Sequence, residues 1–297
     1  MKNSFNATDI FLLFIVLFVC STYIDIDKPV KKSKLIESDY RLFQGTPAWP
    51  MARAAHFGDL KSVEAILNEN PELSNIQDSV YGNTVLMLSI IHRDKKLFKL
   101  LLDHGANVNI HNTIKQTGDS PITLACSYPK DDCYFIRELI EHGANVNDTT
   151  HCYPYASVSP LLKAASEGNI KMVKYLLSQG ADINYRNRFG DTPLGYSLIS
   201  SNYNTTLALL ANGADFFNPP FYTVDKKGNK TIPLSIGTLL RIDTVTLNSN
   251  NHKKKRKIIE FLRSRGYDYD TVPIPEHILE RIKQKYPDSW EDYIQKY

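Results

Sequence analysis

Apolar residues recur three and four positions apart in short blocks along this chain, and each block is bracketed by residues that start or stop helices. The clearest stretch runs from Ser159 to Asn184. Ser159 is a good N-cap, because its hydroxyl accepts a backbone N–H at the open helix end. Pro160 then stands at the first helical position, where its missing N–H costs nothing. Gly168 supplies the left-handed conformation that ends a first helix. A second helix follows with Ile170, Val173, Leu176 and Leu177 at helical spacing, and Gly180 ends it in the same way. Neither helix can bury its apolar face alone, so the unit predicts neighbours.

The neighbours are present. The opening signal recurs as Thr84-Val85-Leu86, Ser120-Pro121-Ile122 and Thr192-Pro193-Leu194. The closing signal recurs as Gly105-Ala106-Asn107-Val108-Asn109, Gly143-Ala144-Asn145-Val146-Asn147 and Gly213-Ala214-Asp215. Thr84, Ser120, Ser159 and Thr192 are 36, 39 and 33 residues apart. This pattern resembles the ankyrin repeat, a β-turn plus two antiparallel helices stacked into a solenoid. A weaker copy opens at Trp49-Pro50-Met51 and closes on Asn70-Pro71-Glu72-Leu73 without a glycine. Another opens at Ile232-Pro233-Leu234 and closes on Gly266-Tyr267-Asp268. The resemblance implies an all-α ankyrin-repeat solenoid of five to six repeats with β-turn fingers, over residues 44–270. Residues 22–43 read as a polar tether and 271–297 as a C-terminal helical cap with Ile278, Leu279 and Ile282 on its apolar face.

Residues 1–21 read differently. Ile10 to Val19 are ten consecutive apolar residues behind Lys2. A bilayer takes about 20 residues to span, so this length suits the core of a secretory signal peptide. Leu17-Phe18-Val19-Cys20 also approximates a lipoprotein box, and an uncleaved anchor over residues 10–23 is a third reading. For an anchor, Lys28, Lys31, Lys32 and Lys34 favour keeping the repeats on the cytoplasmic side. The expectation is an exported or membrane-associated protein, with the three modes left open.

Composition changes this picture little. The chain is 42% hydrophobic and 23% charged, as a globular protein is, and its net charge of +3 gives no reason to expect nucleic acid. Four cysteines are too few for a disulfide scaffold. Cys126 takes a small, buried position of a first helix, and a bond among Cys126, Cys133 and Cys152 stays open.

No motif for catalysis stands out: there is no phosphate-cradling glycine loop and no serine elbow. No cofactor and no metal are expected. His104 and His142 each precede a helix-ending glycine, a position suited to the last carbonyls of a helix. The basic run Lys253 to Lys257 reads as a solvated turn entering a helix, with a nuclear-import or nucleic-acid patch as the alternative. The functional expectation comes from the resemblance, which places partners on the concave face of finger tips and first-helix ends. Carried over position by position, the expected contacts are Tyr81, His92, Tyr128, Tyr155, Glu167, Tyr185, Arg186, Arg188 and Phe189. Tyrosine, arginine and phenylalanine supply much of the energy at protein interfaces. The reading is a non-catalytic binding module, monomeric by itself, for a partner protein whose identity the sequence does not give. A second reading is a secreted effector or immunity-type inhibitor that blocks one enzyme. A third places an enzyme site in the irregular sixth repeat, and it requires a polar pocket with clustered ionisable groups there.

Overall fold

The computed structural model describes residues 28–113, 118–127, 133–150, 157–224 and 230–296. Five helix pairs follow one another: α1 (Trp49–His56) with α2 (Leu60–Glu69), α3 (Val85–Ile91) with α4 (Lys95–Asp103), α5 (Pro121–Ala125) with α6 (Tyr134–Glu141), α7 (Pro160–Glu167) with α8 (Ile170–Ser178), and α9 (Pro193–Ile199) with α10 (Tyr203–Ala211). A sixth pair, α11 (Ile236–Ile242) and α12 (Asn250–Ser264), is followed by α13 (Glu276–Lys285) and α14 (Trp290–Lys296). From α3 to α11 each first helix packs on the next first helix, and α8, α10 and α12 stack behind them. This is the predominantly helical repeat solenoid that the spacing predicts.

The start signals act as expected. Thr84, Ser159 and Thr192 accept the backbone N–H of Met87, Leu162 and Gly195, while Ser120 and Thr123 cap α5 reciprocally. The second helices start on Asp59, Asp94 and Asn169, which cap Ser62, Leu97 and Met172. Gly168 and Gly180 close their helices with φ of 71° and 86°. Between them, Val173 and Leu176 are fully buried, worth about 1.5–3 kcal/mol for each side chain.

The closing motif also joins repeats. Its alanines, Ala106, Ala144, Ala181 and Ala214, are buried in the core. Its asparagines form a ladder across the stack. Asn75, Asn109, Asn147 and Asn184 accept the backbone N–H of Asn107, Asn145, Asp182 and Asp215 in the following repeat, at 2.7–3.4 Å. Asn109 and Asn147 also donate through Nδ2 to the carbonyls of Gly143 and Gly180. Asn75 provides the first rung although its repeat lacks the closing glycine. The ladder stops at Asp215, because Phe217 stands where the earlier repeats place an asparagine.

The sixth repeat departs from expectation at two points. Ile232-Pro233-Leu234 does not open a helix: it lies in strand β2 (Lys230–Leu234), which pairs antiparallel with β1 (Phe221–Val224), Tyr222 opposite Pro233. The cap moves three residues on, from Ile232 to Ser235, whose hydroxyl accepts the N–H of Thr238. The basic run is not a solvated turn either. Ser249 caps α12 earlier than expected, so Lys253 to Lys257 are helical and Lys255 turns into the core. Its Nζ donates to the carbonyl of Asp243 at 3.0 Å. The Asp243 carboxylate in turn accepts from Ser201 and Tyr203 of the fifth repeat. Beyond it, Ile278, Ile282 and Tyr293 are buried, Tyr293 donating to the Val245 carbonyl and His252 to that of Lys296.

Residues 28–43 do not run free of the repeats. They contain two 3₁₀ turns, Lys32–Lys34 and Tyr40–Phe43. Leu42 and Phe43 are fully buried, and the second turn packs on α1. A run of mixed polarity hides two apolar residues that the first helix needs as a cover. The apolar run Ile10 to Val19, with Cys20, lies outside the described residues, as do Tyr128, Cys152 and Tyr155. Among the described residues no helix is long and apolar enough to cross a membrane. Cys126 and Cys133 are buried, and no bond joins them to each other.

Candidate partner-binding site

The first finger is built around Asp78, whose carboxylate accepts the N–H groups of Val80, Tyr81 and Asn83. This turn aims Tyr81 and Asn83 at the chain ahead of the repeats. Tyr81 donates its hydroxyl to the Leu35 carbonyl at 2.7 Å, and Asn83 donates Nδ2 to the Glu37 carbonyl at 3.2 Å. His92, at the end of α3, donates Nε2 to the Ser38 carbonyl at 2.8 Å. Three side chains of the face thus hold the backbone of residues 35–38. Tyr40 continues the segment by stacking on His56, with ring centroids 3.8 Å apart, and on Trp49. It closes one side of a cavity of about 330 Å³ lined by Ala52, Ala55, Val85 and Leu88 of α1 and α3.

Charge follows the same contacts. Burial pushes the His56 imidazole below its ordinary pKa, and the neighbouring His92 adds to this. Burial works against ionising Asp39, but its hydrogen bonds from Arg41 win and hold the carboxyl below the usual range.

The fourth finger is folded by Asn187, whose Oδ1 accepts from the backbone of Phe189 and Asp191. Tyr185 donates to the Ser157 carbonyl of the preceding finger at 3.3 Å. Arg186 donates to the carbonyls of Gly190 and Pro219 and approaches Asp215 at 3.8 Å. These two side chains therefore tie fingers together. Arg188 is exposed and lies over the Phe189 ring, 4.5 Å from its centroid. Glu167 is exposed at the end of α7, and Ile199 is 49% exposed at the end of α9. The sequence-selected group thus divides: Tyr81 and His92 meet the chain's own segment, Tyr185 and Arg186 brace fingers, Glu167 and Arg188 are exposed, and Phe189 is half-buried under Arg188. Tyr40 and Asn83 were not legible as site residues, because their role depends on a segment that reads as solvated.

His104 and His142 donate Nδ1 to the carbonyls four residues back, Leu100 and Glu138. The irregular sixth repeat does contain a polar pocket, of about 410 Å³, lined by arginines and carboxylates. Among the described residues no histidine, cysteine or serine lines it. Among the described residues no cluster of histidine, cysteine and carboxylate is placed to hold a metal.

Two family models for ankyrin repeats match the chain, over residues 51–150 and 161–210, together half of its length. An ankyrin repeat protein of variola virus is 31% identical over 126 residues, covering 40% of this chain and 21% of the relative. A putative ankyrin repeat protein of Acanthamoeba polyphaga mimivirus is 36% identical over 112 residues, 36% of this chain and 65% of the relative. The human ankyrin repeat and SOCS box protein 6 is 29% identical over 147 residues, 48% of this chain and 33% of the relative. The chain thus spans between a fifth and two thirds of the length of these curated relatives. Ankyrin repeats generally serve as protein-interaction modules and generally carry no catalysis. With both matches falling on the capped helix pairs and their asparagine ladder, the chain belongs to the ankyrin-repeat family.

Proposed function

We propose that this chain is a non-catalytic binding module that holds a segment of a partner protein along its fingers and first-helix ends. One observation carries the reading. The face already holds a segment of the chain's own backbone, the bend and turn of residues 35–38, through three side-chain donors, Tyr81, Asn83 and His92. Donors aimed at carbonyls accept many sequences, and an aromatic pocket such as that under Tyr40 adds selectivity. Past the second repeat the face continues to Glu167, Arg188, Phe189 and Ile199, which have the size and polarity of interface anchors. Export or membrane attachment through residues 10–23 belongs to the proposal as well, and rests on the apolar run Ile10 to Val19 alone. The mass of the mature chain from its native source tests that part: loss through Ser21 means export, and an acyl mass on Cys20 means a lipoprotein.

Affinity capture from the native source tests the binding. The full chain is compared with a triple variant, Glu167→Ala, Arg188→Ala and Phe189→Ala, after both show equal thermal stability. A protein retained by the wild type and weakened at least tenfold in the variant supports the reading. Equal retention of every captured protein removes this part of the face from it.

A further inference from the structure

We propose that the outer face of the last three repeats docks on an anionic membrane surface. The second helices α8, α10 and α12 lie side by side there, behind the finger face. Their charges are almost all of one sign. α8 carries Lys171 and Lys174, α10 carries none, and α12 carries Lys253 to Lys257 and Arg263 against a single carboxylate, Glu260. Arg256 lies 4.0 Å from Glu260, and Arg263 holds Asp270, so these two arginines are answered. Lys174, Lys253, Lys254 and Lys257 are not: among the described residues no carboxylate stands within ion-pair distance of them. Lys174, Lys253 and Lys257 are exposed, and Lys254 is half-buried. α10, which packs against α12, has no acidic residue to meet them. Near the end of α12, Asp215 is taken by Arg186 and Asn218, while Asp268 remains exposed.

A second observation lies on the same side of α12. Lys254, Lys257, Phe261 and Arg265 follow one another at helical spacing, and the Arg265 guanidinium lies 5.4 Å from the Phe261 ring centroid. Phe261 meets Phe216 edge-on with centroids 6.2 Å apart, and Phe216 packs on Phe217 at 4.5 Å. Phe217 itself is 64% exposed. An apolar ring left in water beside a row of ammonium groups is the arrangement of an interfacial element. The ring enters the boundary between headgroups and acyl chains, and the lysines meet anionic headgroups. Lysine is a hydrated point charge on a flexible stem, which suits a diffuse layer of charge. Single-stranded nucleic acid is instead held by aromatic platforms within the cationic track, whereas Phe217 stands at the edge of this one. The face is separate from residues 10–23, and docking by it leaves the fingers open to a protein partner.

The test is co-sedimentation of the full chain with two kinds of vesicle, phosphatidylcholine alone and phosphatidylcholine with about 30% phosphatidylserine. The neutral vesicles measure what the apolar run Ile10 to Val19 contributes, which every variant shares. The wild type should bind the anionic vesicles at least tenfold more tightly than the neutral ones, and salt should remove the difference. Lys253→Gln, Lys254→Gln and Lys257→Gln combined should weaken anionic binding at least tenfold and leave neutral binding unchanged. Phe217→Ser should weaken anionic binding several-fold. Thermal unfolding checks that the variants keep their fold, and if the triple variant does not, Lys174→Gln on α8 carries the test with an expected several-fold loss. The proposal is overturned if both vesicles bind equally, or if the folded lysine variants bind anionic vesicles like the wild type. It is also overturned if a single-stranded oligonucleotide or polyglutamate is held more tightly than the anionic vesicles, which assigns the face to a nucleic acid or an acidic protein instead.

Discussion

Lys255 stands in the middle of five consecutive cations, yet its side chain is fully buried. Burial lowers its pKa to about 6, Asp243 opposing this and Arg241 adding to it. The ammonium is therefore mostly neutral in the folded chain at pH 7 and charged in the unfolded one. Between about pH 6 and the ordinary lysine range the unfolded state binds the extra proton, so stability rises with pH across that window and is flat below it. Urea titrations should show this slope, up to about 1.4 kcal/mol per pH unit, in the wild type and not in Lys255→Met. Gly195 makes the second residue-scale prediction. A Cβ there would stand 2.1 Å from the Pro220 carbonyl oxygen, which Thr192 also binds. Alanine ordinarily favours a helix by about 1 kcal/mol over glycine. Here the clash with backbone should outweigh that gain, and Gly195→Ala should lose about 1–3 kcal/mol in chemical denaturation.

At the scale of elements, the closing motif does more than end helices. Asn147 takes the Asp182 N–H and donates to the Gly180 carbonyl, so its loss breaks two links between repeats. Asn147→Ala should cost about 1–3 kcal/mol, measured by thermal or urea unfolding. Asn147→Asp, which keeps the acceptor, should cost less. Helix starts at Thr84, Ser120, Ser159 and Thr192, and stops at Gly168 and Gly180, were legible because capping is local chemistry. The start of α11 was not: Ile232-Pro233-Leu234 imitates the opening tripeptide, while the cap itself, Ser235, lies just beyond it in a strand-to-helix junction. The basic run misled for the opposite reason. Composition marks Lys255 as solvated, and only the fold supplies the Asp243 carbonyl that lets it turn inward. Among the site residues, finger positions followed from phase. Phase alone did not separate Arg186, which braces the Pro219 connection, from Arg188, which lies over the Phe189 ring.

For the whole molecule, the proposed function sets residues 35–38 and a partner segment in competition for the same donors. A tethered competitor acts at a high effective concentration, of millimolar order for a short linker. Removing residues 1–38, which leaves the buried Leu42 and Phe43 in place, should therefore tighten partner binding several-fold at unchanged fold stability. A partner that binds both forms equally would engage only the later repeats. The two ends of the stack differ in another respect, since the rungs run forward from Asn75 and end where Phe217 replaces the next asparagine. In evolutionary terms this gives the array a closed end. A duplicated unit copied in phase from Ser159 to Asp191 brings both halves of a rung with it and can be spliced in among the middle repeats. The same unit appended after the sixth meets Asp270 at the acceptor position, and the Arg263 guanidinium already holds that carboxylate. Lineages of this chain should therefore differ in length through internal repeats, while their C-terminal segments stay constant.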